Sequence, residues 1–207
     1  MTDHDRVQQQ PVLVIMGVSG CGKSTVAGIL AGQLGWDLQE GDDLHPAANV
    51  AKMSAGIPLS DDDRWPWLDA VAAWIRGHTT AGIPGVITCS ALKRIYRDRL
   101  RGDHVVFVHL AGSRDTIGQR LGTRMDHFMP TTLLDSQLAT LEPPGPEENT
   151  LVVDLGRKPA QEAAEIIQRL HLVRKTRSAA LGSAGPGPSS APPGGDPGSG
   201  HDHGSAG

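Results

Sequence analysis

Residues 17–24 read Gly-Val-Ser-Gly-Cys-Gly-Lys-Ser, between an apolar run, PVLVIMG (11–17), and a helical pattern, STVAGILAGQLG (24–35). The octapeptide satisfies G-x-x-x-x-G-K-[ST], whose glycines let successive backbone N–H groups curl inward around phosphate oxygens. A short continuous apolar run suits a strand buried on both faces. The segment after the loop spaces Val26, Ile29, Leu30 and Leu34 as a helix and meets Gly35, a suitable stop. That helix points its positive end at the phosphates. The expected contacts with a nucleoside triphosphate are Gly17, Val18, Ser19, Gly20, Cys21, Gly22, Lys23, Ser24 and Thr25. Lys23 supplies a mobile charge to the outer phosphates, and the Ser24 hydroxyl suits Mg²⁺.

Strand and helix patterns alternate along the rest of the chain. WDLQEGDD (36–43) is a weak strand, GVITCS (85–90), HVVFVHL (104–110) and NTLVVDL (149–155) are stronger ones. PWLDAVAAWIRGH (66–78) reads as a helix with Pro66 in its first turn. ALKRIYRDRLR (91–101) reads as a helix capped by Ser90. SRDTIGQRLGTR (113–124), TTLLDSQLATLE (131–142) and PAQEAAEIIQRLHLVRK (159–175) are further helices. The pattern predicts the α/β P-loop NTPase fold: a five-stranded parallel sheet with helices on both faces and right-handed crossovers. Ligands then belong in the crevice beyond the carboxyl ends of the strands.

The 207 residues are 38% hydrophobic and 20% charged, with a net charge of −4, as in soluble globular proteins. No long basic run offers a surface for nucleic acid or an anionic membrane, and RKTR (174–177) reads as a solvated helix end. The two cysteines, Cys21 and Cys89, show no disulfide pattern. The chain begins with polar MTDHDRVQQQ, and no stretch approaches the ~20 apolar residues of a membrane span. A cytoplasmic location is expected. Residues 1–10 read as a polar extension and 11–177 as the folded phosphate-loop domain. Residues 178–207, rich in Gly, Pro and Ser, read as a disordered tail, with His201-Asp202-His203 part of that tail rather than a metal site.

The acids decide what the phosphate is used for. There is no N-K-x-D segment for reading guanine, and GVITCS ends without the carboxylate that motor and transport ATPases place there. Acids instead follow the second strand, in Glu40-Gly41-Asp42-Asp43, across the crevice from the loop. They suit orientation of the metal's waters or acceptance of a proton from an attacking hydroxyl. Arg120 and Arg124, four apart, share a helix face beside a segment of about 120–132 that reads as a mobile lid. Arginines there suit the charge that spreads in phosphoryl transfer. Together these features point to a small phosphotransferase.

Three blocks narrow it further. EGDDLHPAANVAKMSAGIPLSDDDRWPWL (40–68), CSALKRIYRDRLR (89–101) and RMDHFMP (124–130) resemble the gluconokinases of the small phosphate-loop type, relatives of shikimate and adenylate kinases. The resemblance covers roughly residues 11–172. It implies transfer of the γ-phosphate of ATP to the 6-hydroxyl of gluconate, Mg²⁺, an adenylate-kinase-like fold with a lid, and commonly a homodimer. By likeness to shikimate kinase, Asp42 touches the reacting hydroxyl, and Glu40 sits at the metal's water shell, beside Ser24. The last block brings His127 to the substrate; of the paired lid arginines Arg124 is expected on the transferring group, and Arg120 either joins it or, by likeness to adenylate kinases, stacks on adenine.

The residues agree with such a substrate. A polyol carboxylate needs cations at one end and hydrogen-bonding groups along its length. Arg64, Lys93 and Arg97 are the cations near strand ends, with Asp61–Asp63 as competing partners. His45 and Ser90 suit hydroxyls. Trp67 and Trp74 read as core, and Trp65 stays open. A kinase of the same fold acting on shikimate or a nucleoside monophosphate, and a nucleotide-binding regulator without catalysis, are the alternatives.

Overall fold

The computed structural model of the chain describes residues 9–122 and 131–175. Five parallel strands form one sheet in the order β2–β3–β1–β4–β5. They are β1 (Val12–Met16), β2 (Asp37–Gln39), β3 (Gly85–Thr88), β4 (Val105–Ala111) and β5 (Thr150–Asp154). β1 lies between β3 and β4, with Ile15 opposite Thr88 on one side and Val108 on the other. The chain leaves β1 toward one edge and crosses it again between β3 and β4. The crevice therefore opens at the carboxyl end of β1, where the glycine loop begins.

Alternation of side chains along β1 divides the core. Leu13 and Ile15 face α1 (Lys23–Leu34), α5 (Arg114–Gly122), α6 (Thr131–Thr140) and α7 (Pro159–Arg169) through Val26, Leu30, Ile117, Leu134 and Ile166. Val12, Val14 and Met16 face α3 (Asp61–Ala81) and α4 (Arg94–Leu100) through Trp67, Leu68, Val71, Tyr96 and Leu100. Trp67 is core, as expected, and Trp74 packs partly buried against the same layer. Cys21 and Cys89, both free and buried, belong to different layers of the core.

Three boundaries differ from the sequence reading. α3 starts at Asp61, not at Pro66, because Ser60 and Asp63 close a reciprocal capping box; Pro66 lies in the second turn. α4 starts at Arg94 rather than after Ser90, since Ala91 takes φ 44° and interrupts the helix. β2 ends at Gln39, so a 3₁₀ turn (Gly41–Leu44) takes the end of the strand predicted over 36–43, and the short α2 (Ala47–Ser54) fills a stretch for which the sequence predicts no element. Gln9 and Gln10, expected in the polar extension, bond to the domain through Thr79 O (2.9 Å) and Val173 N (3.0 Å). The expected tail, 178–207, and most of the lid segment fall outside the described residues. No described helix is long and apolar enough to cross a membrane.

Candidate active site

The loop after β1 has the backbone its glycines allow. Gly17, Gly20 and Gly22 take φ of 137°, 82° and 101°, which favour glycine. A Cβ on Gly17 would come within 2.9 Å of Leu110 O at the end of β4. α1 starts directly after Gly22, so its unpaired N–H groups face the crevice. Lys23 folds over the loop and donates from Nζ to Gly17 O (3.0 Å) and Val18 O (3.1 Å). Ser19 N donates to Oε1 of Gln137 on α6 at 2.6 Å. Val18 and Cys21 are buried, so they can serve a ligand only through backbone. Burial pushes the Cys21 thiol up from its ordinary value, against the pull of Lys23.

The acidic turn meets this loop. Ser24 Oγ donates to Glu40 Oε2 at 3.0 Å, and Thr88 Oγ1 donates to the same oxygen at 2.6 Å. The next residue, Gly41, donates from N to Thr88 Oγ1 (3.0 Å) and accepts from Trp67 Nε1 (2.7 Å). A Cβ on Gly41 would stand 2.0 Å from Thr88 O, so only glycine lets the turn approach β3 this closely. No three His, Cys, Asp or Glu side chains gather as a metal cage among the described residues. Hydroxyl and carboxylate oxygens at one point fit Mg²⁺, which keeps several waters and takes few protein ligands beside phosphate.

Asp42 follows on the turn, exposed. Its carbonyl accepts from His45 N at 3.3 Å. The His45 ring stacks on Trp67 with centroids 4.3 Å apart. Asn49 Nδ2, which donates to Asp63 O at 2.7 Å, also lies 3.4 Å from His45 Nδ1. That contact leaves the ring proton on Nε2. Burial, aided by the Arg64 charge and opposed by Asp42, holds His45 below its ordinary value and therefore neutral at pH 7.

Arg64 and Lys93 come together around one carboxylate. Lys93 Nζ bonds both oxygens of Asp61 (2.9 and 2.7 Å), Tyr96 donates from its hydroxyl at 2.5 Å, and Arg64 lies 3.5 Å away. The Lys93 and Tyr96 hydrogen bonds hold Asp61 below its ordinary range and raise Lys93 correspondingly. Ser90 lies against the loop through its carbonyl, which accepts from Gly17 N at 3.3 Å.

Arg97 corrects the sequence reading. It is 1% exposed. Its Nε and Nη2 bond Glu148 (2.5 and 2.9 Å), and Nη1 bonds Ala91 O and Leu92 O, both at 3.1 Å. A guanidinium so engaged is part of the framework, not of a substrate clamp. Lys93 stands at the N-cap position, just before α4, and not within the helix that carries Arg97.

Arg120 lies beside the phosphate loop. It pairs with the fully buried Glu162 of α7. It also donates to Cys21 O (3.1 Å), Leu155 O (2.6 Å) and Arg157 O (2.7 Å), tying the phosphate loop to the segment after β5. Arg124 and His127 lie outside the described residues. The sequence reading misses Thr88, Tyr96, Gln137 and Glu162. It marks Asp61 only as a competitor for the cations, which is one of the things Asp61 does.

No family model matches the chain. A gluconokinase of Gluconobacter oxydans is 51% identical over 172 residues, spanning 81% of this chain and 97% of that protein. The crystal structure of a gluconokinase from Sinorhizobium meliloti superposes with a TM-score of 0.69 at 44% identity, over 78% of this chain and 95% of that one. That of a sugar kinase from a Janibacter species gives a TM-score of 0.73 at 45% identity, over 79% and 95%.

Proposed function

The chain belongs to the gluconokinase family, and on that premise we infer that it transfers the γ-phosphoryl group of ATP to gluconate, with the 6-hydroxyl as acceptor. The acceptor oxygen bonds to the γ-phosphorus, the bond to the β–γ bridging oxygen breaks, and ADP leaves. Such transfer asks the protein mainly for positioning and for charge placed in advance.

The observation that carries this reading is the Ser24–Glu40 contact at 3.0 Å, which joins the phosphate loop to the acidic turn that bears Asp42. The loop N–H groups and Lys23 hold the triphosphate, and Lys23 exchanges its two carbonyl partners for phosphate oxygens. Arg120 of α5 borders the nucleotide, held by carbonyls of the loop after β5. Ser24 is the protein ligand of Mg²⁺, and Glu40 acts through one of its waters. When bound, the ion neutralises charge on the β- and γ-phosphates. Asp42 orients the 6-hydroxyl and receives its proton as the new bond forms. Arg64 and Lys93 take the gluconate carboxylate, while His45 and Ser90 bond hydroxyls. Arg124 on the transferring group, His127 on gluconate and closure of 120–132 belong to the same proposal and rest on the sequence. So do a cytoplasmic location and a homodimer.

ADP release with MgATP, measured against D-gluconate, shikimate, AMP and buffer alone, tests the acceptor. Release with gluconate only is expected. Release with shikimate or AMP would preserve the phosphate chemistry and overturn the acceptor, and binding of ATP without any release would favour a regulator. Lys23→Ala should lower kcat by about 100-fold or more, the scale of losing one charge-stabilising contact in a transition state. Near-normal turnover in that variant would refute the assignment of roles.

A further inference from the structure

β3, which neighbours β1, ends in Thr88, a neutral residue opposite Ile15. In many phosphate-loop enzymes a carboxylate in a comparable place holds the metal. Here the carboxylate stands on the neighbouring turn, at Glu40, and it is held there. Thr88 is 3% exposed. Its hydroxyl accepts from Gly41 N at 3.0 Å and donates to Glu40 Oε2 at 2.6 Å. The direction of its proton is thereby set, since a hydroxyl has a single hydrogen to give. The same Oε2 accepts from Ser24 Oγ at 3.0 Å. One carboxylate oxygen is thus located by two hydroxyls, one from the phosphate loop and one from the sheet.

The support behind Thr88 is stiff. It pairs with the central strand, and Cys89 N continues the ladder to Ile15 O at 3.1 Å. Gly41 is pinned on its other side by the indole of the buried Trp67, at 2.7 Å. Glu40 and Ser24, by contrast, bond to each other across an exposed contact. Without the bond to Thr88, the Glu40 side chain has its rotamers to choose from.

We propose that Thr88 is a positioning residue for the metal: its hydroxyl aims the Glu40 carboxylate at the water shell of the Mg²⁺ that Ser24 ligates. This rests on the assignment of Ser24 and Glu40 to the metal. A carboxylate borne on a turn then acts with the fixed geometry of one borne on a strand, because the strand still supplies the anchor. Outer-shell partners of this kind orient the groups that hold a metal.

The test separates metal-dependent nucleotide binding from binding itself. Calorimetric affinity for the β,γ-imido analogue of ATP is measured in Mg²⁺ and in EDTA, with no acceptor present, and the ratio of the two is the metal's increment. Thr88→Val keeps the shape and deletes the hydroxyl. Thr88→Ala deletes it with no added bulk, should the valine variant not fold. Each should reduce the increment by about 10-fold and leave the EDTA affinity unchanged. Thr88→Ser should restore it, and Glu40→Gln should lose it as the hydroxyl-free variants do. If Glu40→Gln loses the increment while the hydroxyl-free variants keep it, Thr88 does not position the acid. The positioning role is equally overturned if serine fails to restore the increment, or if the affinities in Mg²⁺ and EDTA fall together. If Glu40→Gln keeps the full increment, the metal assignment itself fails, and the role of Thr88 falls with it.

Discussion

A guanidinium that is 1% exposed cannot meet a ligand arriving from solvent, and Arg97 has a partner for each of its three nitrogens. Removing one member of a buried pair leaves the other charge uncompensated, at a cost of about 3–5 kcal/mol. Arg97→Ala should therefore lower stability in urea by that order, while protein that remains folded keeps its KM for gluconate. A small loss of stability with a large rise in that KM would return Arg97 to the substrate. The pH dependence has a definite sign. The hydrogen bonds from Arg97 hold Glu148 below its ordinary 4.5, with burial opposing. A depressed carboxylate adds stability above its unfolded value and loses it as pH falls through the folded one. The gap between wild type and Arg97→Ala should thus narrow as pH falls from about 4.5, where the unfolded chain takes up the proton, and close only below the lower folded value of wild-type Glu148.

The first turn of α3 joins two parts of the acceptor side. Ser60 Oγ accepts from Asp63 N at 3.2 Å, and Asp63 Oδ2 accepts from Ser60 N at 2.9 Å. Asp63 also pairs with Lys52 of α2 at 2.6 Å, and these bonds, that of Lys52 foremost, hold its carboxyl down to about 2. The same turn carries Asp61 and Arg64. Ser60→Ala should cost about 1 kcal/mol, as lost N-caps do. Fraying there should raise KM for gluconate and leave KM for ATP alone. Equal changes in both would mean that the turn supports the whole crevice rather than the acceptor end. This boundary also shows what the sequence reveals and what it hides. Pro66 draws the predicted start to itself, but the S-x-x-D spacing of Ser60 and Asp63 is the stronger signal. α2 is illegible for a physical reason: only Asn49 is buried, and Val50 and Met53 are exposed, so no apolar face advertises the helix. α4 begins late through contacts that no local pattern encodes, among them Arg97 reaching back to Ala91 O and Leu92 O. The phosphate loop and Glu40 are legible because charge and glycine at fixed spacing have few other uses. Thr88, Tyr96 and Gln137 are not, since neutral polar side chains take their roles from partners distant in the chain.

For the whole molecule, the decisive question is where the folded unit stops. The compact unit runs to Lys175. The last described residues are bound into it: Lys175 N donates to Leu34 O at 2.8 Å, and Trp36 Nε1 donates to Val173 O at 3.2 Å. Leu172 is buried against α1 and α7 in the layer that holds Ala31, Leu34 and Ile166. A chain ending after Lys175 should therefore melt at the temperature of the full chain and keep both KM values. A chain ending after Leu170 loses Leu172, worth about 1.5–3 kcal/mol of burial, and leaves the largely buried Trp36 indole without its carbonyl. Its melting temperature should fall by several degrees. Because the phosphate loop feeds directly into α1, which packs on this end of the chain, the affinity for ATP should fall before that for gluconate as the temperature rises. If instead the chain ending at Lys175 already loses turnover at an unchanged melting temperature, residues 176–207 act on catalysis, and the kinase unit extends beyond its compact core.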